Sequence, residues 1–314
     1  MKKFLCFALG IFLVTIDSYE SQANTNLALK SARQTSTYYA FSVGVSNAIM
    51  AGASDIVVTV ETSPGSMVNV KESKTRNNFL FTAPPILIRS AIAAKGKFEE
   101  GGYENIRSLL PLPGLVMHWV VTEQSGVKSL QEMAGKKFVP GGAGSAGAKF
   151  TKEVFGIVGV EEKVKFLTVD LNEGVQAVRN RRAVGFSTAS SPPAAMVTEI
   201  SATMPIRLLS LPDEYFNKLS HKFSRYTIPA GTYSGVDSDT NTISLLVGMY
   251  TKADLPEQTA YKITKAFWEN RSTWEKVHPA MKLLKMSDVN SLVAGLHPGA
   301  KRYYEEIDFK LNVK

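Results

Sequence analysis

The chain has 314 residues, 44% of them hydrophobic and 20% charged, a length and composition that predict about two domains with a sizeable core and exclude disorder, fibrous repeats and low complexity. Its formal net charge of +8 is spread out. The densest basic run is Arg179-Asn180-Arg181-Arg182, too short a stripe for nucleic acid, so the excess charge suits an anionic solute or surface instead.

In chain order, the first feature is a leader. Met1-Lys2-Lys3 is a short positive start, Phe4 to Ile16 is apolar, and Ser21-Gln22-Ala23 supplies the small residues of a cleavage site, which predicts a signal peptide over 1–23 cut near Ala23. The apolar run is too short to cross a bilayer, which needs about 20 residues. Cys6, the one cysteine, lies inside it. The exported chain would therefore carry no disulfide or cysteine-bound metal, which fits a bacterial periplasm.

Short apolar runs at 56–60, 79–81, 115–121, 137–139, 164–167, 183–186, 206–209 and 243–247 predict strands. Helical patterns at 37–50, 86–94, 148–155, 171–180 and 257–271 lie among them. Such alternation reads as α/β with largely parallel sheets. No Gly/Ser or Pro linker divides the chain, so two lobes would be joined by the apolar crossing segments 115–121 and 243–247. That makes 24–116 plus 248–314 one lobe and 117–247 the other.

Five loops rich in hydroxyls and small residues precede predicted helices: Gln34-Thr35-Ser36-Thr37-Tyr38-Tyr39, Thr62-Ser63-Pro64-Gly65-Ser66, Thr82-Ala83-Pro84-Pro85, Gly141 to Gly147, and Ser187 to Pro193. Each taken singly is ordinary capping chemistry. Helix N-termini also carry unpaired N–H groups and about half a positive charge, so several facing one cleft make an anion site. Ligands of open parallel sheets lie beyond the strand carboxyl ends, where three of these loops begin.

Two rival readings attach to the glycine loop. Gly142, Gly144 and Gly147 match a dinucleotide spacing, but Asp170, the acidic residue at a suitable distance, leads into a helix start instead of ending a strand. Ser145 sits in Ala143-Gly144-Ser145-Ala146-Gly147, one residue short of a nucleophile elbow, and a secreted serine esterase would pair it with one of His118, His221, His278 or His297. Nothing in the chain matches a zinc-protease, calcium or Walker motif. An exported surface or adhesion protein without a small ligand is a third reading, favoured if the cleft between lobes proves filled.

Over nearly all of its length the chain resembles the TAXI-type solute-binding receptors of tripartite ATP-independent periplasmic (TRAP) transporters. The pieces that carry the likeness are Ile228-Pro229-Ala230-Gly231-Thr232-Tyr233, Ala253-Asp254-Leu255-Pro256-Glu257 with Tyr261 to Ala266, His278-Pro279-Ala280, and Leu296-His297-Pro298-Gly299-Ala300 with Arg302-Tyr303-Tyr304. Ser125 to Leu130, Ala134 to Lys137 and Val175 to Arg179 are similar too.

The resemblance implies an α/β, two-lobed periplasmic-binding fold of type II with the cleft between lobes. It also implies a monomer without cofactor that captures a small organic carboxylate (a glutamate-like amino acid, a 2-oxo acid or a dicarboxylate) and hands it to integral membrane TRAP subunits. The family's binding loops fall on Ser36, Thr37 and Tyr38, on Gly65 and Ser66, and on Gly144, Ser145 and Ala146; Thr82, Thr188, Ser190 and Ser191 complete the expected pocket. Two departures stand out: Thr35 and Ser36 replace glycines, and Thr82-Ala83-Pro84 replaces a Gln-Ser-Asp loop. The loss of an amide and a carboxylate favours a ligand with fewer donors.

Overall fold

The structure, a computed structural model, describes residues 24–312; the expected signal peptide lies outside them. In chain order it runs β1 (Thr25–Lys30), α1 (Thr37–Gly52), β2 (Ile56–Glu61), α2 (Ser66–Glu72), β3 (Phe79–Ala83), α3 (Pro85–Ile92) and β4 (Ile106–Thr122). There follow β5 (Lys137–Val139), α4 (Ala146–Val158), β6 (Lys165–Phe166), α5 (Leu171–Arg179), β7 (Gly185–Ser190), α6 (Ala195–Ser201), β8 (Ile206–Leu208), α7 (Asp213–Leu219) and β9 (Ser224–Ile228). Last come β10 (Thr240–Lys252), α8 (Glu257–Glu269), α9 (Arg271–Trp274), α10 (Pro279–Lys282) and α11 (Pro298–Glu306).

One curled sheet threads the molecule in the order β2-β1-β3-β10-β4-β7-β5-β6, with β8 beside β4 and β9 beside β10. Pairing is parallel within β2-β1-β3 and within β7-β5-β6. Every pairing of β4 or β10 with another of these strands is antiparallel. The sheet is thus mixed where the sequence reading expects it largely parallel. The two long strands pass from one half of the sheet to the other, and they carry the difference.

Each of them serves two masters. The early part of β4, Ile106 to Val116, pairs with β10, and Val116 to Val121 pair with β7. β10 pairs with β9 at its start and with β3 near its end. At the changeover β4 carries Pro111, Pro113 and Gly114, and the β10 register shifts between Leu245 and Val247. Proline withholds a donor and a bulge bends its strand, so the sheet is weakest where the halves meet.

Apolar side chains fill both faces. The larger cluster reaches from Leu27 through Phe150 to Tyr304, and a second gathers around Val120, Phe186, Ile206 and Tyr233. β1 has no counterpart among the predicted strands, although Leu27 and Leu29 alternate inward. Predicted 183–186 moves to Gly185–Ser190, because the hydroxyl-rich Ser187 to Ser190, loop-like in composition, ladder against Val116 to Trp119; pairing overrides propensity there.

Candidate functional site

A cavity of about 80 Å³ lies where the two halves face each other, and Leu115 and Val247 of the crossing strands floor it. Its walls are starts of helices and ends of strands. From the first half, Ser36 caps α1 by accepting from the Tyr38 N–H at 3.2 Å. Ser31 at the end of β1 donates to the Tyr38 carbonyl at 3.0 Å and accepts from Ser42 at 2.7 Å. The Tyr38 phenol donates to the Pro113 carbonyl, anchoring α1 to β4. Burial pushes that phenol well above its ordinary pKa, so it remains a neutral donor.

Asn69, fully buried on α2, donates to the carbonyls of Ser31 at 2.8 Å and Thr82 at 3.0 Å, fixing two strand ends that reach the cavity. Gly65 precedes α2 with φ of 147°, and a Cβ there would stand 2.8 Å from the Ser145 Cα. The requirement for glycine is therefore double: backbone conformation and the touch of the opposite half.

From the second half, Ser145 caps α4, its Oγ accepting from the Ala148 N–H at 3.1 Å. The N–H groups of Ala146 and Gly147, both on the wall, belong to the turn that has no partner inside a helix. Leu171 opens α5 beside them, and Ser187, Thr188, Ala189 and Ser190 of β7 close that side. Ser187 Oγ accepts from Thr151 at 2.7 Å. Ser190 Oγ is buried without a partner.

Arg33 is the residue that pattern reasoning missed. Its Nε donates to Asp170 Oδ2 at 2.5 Å across the gap, and its Nη1 donates to the Pro64 carbonyl at 2.5 Å. A Cβ on Gly142 would come within 2.4 Å of the guanidinium, so the glycine loop is the seat of an arginine from the other half. Thr35 adds a bond to Asn172 at 3.2 Å. One arginine among hydroxyls leaves no spacing signal, and Asp170 reads correctly from sequence as a cap, with its Oδ1 accepting from the Asn172 N–H at 2.8 Å.

The cavity brings together Ser36, Tyr38, Gly65, Ser66, Thr82, Ser145, Ala146, Thr188 and Ser190 of the expected set. Three members stand off its wall. Thr37 is buried, with its hydroxyl unpartnered. Gly144 has φ of 74°, which turns it into a larger outer cleft of about 990 Å³. Ser191 donates to the Gly114 carbonyl at 2.7 Å, bracing β4 from behind.

The esterase geometry is not assembled. Ser145 Oγ is engaged as a cap, and no histidine is on the wall. His118 is buried, with Nδ1 donating to the Val116 carbonyl and Nε2 accepting from the Tyr233 hydroxyl at 2.8 Å. His278 and His297 use Nδ1 to accept from Ala280 and Gly299. The cavity is also too small for a dinucleotide, and Asp170 begins α5. The gap between the halves holds open space, where a filled cleft would have favoured the surface-protein reading.

Comparison with known proteins adds four findings. A family model described as the NMT1-like family matches residues 29–307. MatC from Rhodopseudomonas palustris, solved with bound malate, superposes with a TM-score of 0.58 at 10% identity, covering 90% of this chain and 96% of that one. An ancestral arginine-binding protein bound to arginine gives 0.53 at 14% identity over 82% and 97%. A structure described as a periplasmic transporter gives 0.56 at 10% identity over 90% and 92%. At such identities the likeness is one of fold.

Proposed function

We propose that this chain, which belongs to the NMT1-like family, is an exported solute-binding receptor that closes on a small carboxylate and presents it to a membrane transporter. The observation that carries the reading is the cavity between the halves, where the starts of α1, α4 and α5 meet Arg33 around a space of about 80 Å³. Helix starts favour anions, and their N–H groups need partners that a carboxylate supplies. The fold likeness to MatC, whose structure holds malate, and to an arginine-binding protein supports a receptor over an enzyme.

In this reading residues 24–116 with 248–314 form one lobe and 117–247 the other. Ser36, Gly65, Ser66 and Thr82 face Ser145, Ala146, Thr188 and Ser190 across the cleft, and Tyr38 covers the aliphatic part of the ligand. Closure bends β4 and β10 and excludes water. The TAXI-like motifs extend the proposal to a TRAP transporter as the membrane partner and to the periplasm as the place of work. No helix of the described residues is long and apolar enough to cross a membrane.

A thermal-shift panel of glutamate, glutamine, 2-oxoglutarate, malate and succinate on the mature chain tests the reading. A ligand at a hundredfold excess over its Kd adds about 2.7 kcal/mol to the folded state, which, at about 2.1 cal/mol/K of unfolding entropy per residue, raises Tm by about 4–5 °C for a chain of this size. No shift with any small carboxylate would overturn the proposal.

A further inference from the structure

We infer that the cavity selects a carboxylate that carries no ammonium group, with Arg33 and Ser190 as the residues that set the choice. The inference rests on the reading of the cavity as a ligand site and narrows it. Of the described residues that form the wall, Arg33 is the one with a formal charge, and no Asp or Glu is among them. Asp170, the carboxylate paired with Arg33, stands off the wall with both oxygens engaged, Oδ2 by Arg33 and Oδ1 by the Asn172 N–H. The helix starts around it add partial positive charge and N–H donors.

An amino acid needs an anion or several acceptors for its ammonium. Burial of that group beside a guanidinium, in a cavity of about 80 Å³, costs several kcal/mol. A keto oxygen, a hydroxyl or a second carboxylate makes the opposite demand. Ser190 answers it: the residue is 5% exposed, lies on the wall, and its Oγ has no partner within the protein. A buried hydroxyl left unsatisfied costs about 1–3 kcal/mol, so a ligand oxygen placed against it is favoured. Thr188, at 8% exposure two residues earlier on β7, lies on the same wall.

Calorimetric titration of the full mature chain with matched pairs, 2-oxoglutarate against L-glutamate and L-malate against L-aspartate, tests the choice. The expected result is a preference of about a hundredfold or more for the member without nitrogen in the pair that fits. Ser190→Ala, with its melting temperature checked, weakens that member by about five- to tenfold, and Arg33→Gln weakens it further. An amino acid that binds as tightly as its partner overturns the inference and leaves the receptor reading intact. Silence from all four acids and from the rest of the thermal-shift panel overturns the receptor reading itself, and this inference with it. Unchanged affinity in both variants removes Arg33 and Ser190 from the assignment.

Discussion

His118 is a neutral imidazole held between the Val116 carbonyl and the Tyr233 hydroxyl, and Tyr233 in turn accepts from the Ala194 N–H at 2.8 Å, just ahead of α6. Burial lowers its pKa to about 4, against hydrogen bonding to the backbone of Val116 and Thr188 that raises it. Unfolded, the same ring titrates near 6.5, so between those values the unfolded chain binds the extra proton. Stability from this site is complete above about pH 6.5 and is lost as pH falls toward 4, by about 3 kcal/mol in all. Burial shifts His278 and His297 the same way. Melting temperatures from pH 7.5 to 4.5 should therefore fall more steeply for the native chain than for His118→Gln; parallel profiles would contradict the assignment. Nothing in the sequence around His118 marks it as a structural pivot, because its partner Tyr233 is 115 residues away.

Among elements, α4 and α5 meet the first half through their caps. Ser145→Ala removes a cap worth about 1 kcal/mol, so its effect on binding would be mixed with stability. Asp170→Asn is the cleaner change, since asparagine caps as well as aspartate while the charge opposite Arg33 is lost. Its expected outcome is a melting temperature within about 2 °C of the native value, an affinity for the bound acid several-fold weaker, and a smaller response to salt; fluorescence titration at low and high ionic strength reads it.

This is also the scale at which the sequence was most legible. Ser36, Gly65 and Ser145 announce helix starts by local chemistry, and all three reach the cavity. The polar strands, and the one beside the leader, were illegible, whereas the short apolar β5, β6 and β8 fall on predicted runs. β1 has six residues beside the leader, β9 has five with one of them buried, and β7 gains its register from β4 and not from its own composition. Arg33 escaped because its meaning lies in Asp170 and Gly142, more than a hundred positions on.

For the whole molecule the contact of Gly65 with Ser145 marks how closely the halves approach. Gly65→Ala introduces a Cβ 2.8 Å from a backbone atom, at a φ that alanine resists. The variant should fold, since the site lies at a loop, but stay ajar. Small-angle scattering with and without the acid should show compaction in the native chain and little in the variant, with affinity reduced at least tenfold. Equal compaction in both would mean that the halves meet elsewhere. β4 and β10 are continuous strands that neither half can keep for itself. A gene divided at the boundary would yield two pieces, each with a raw edge of unpaired N–H and C=O groups. Recombination among relatives could therefore exchange a half only by trading both crossings at once, and loops, not halves, are the units by which specificity can drift.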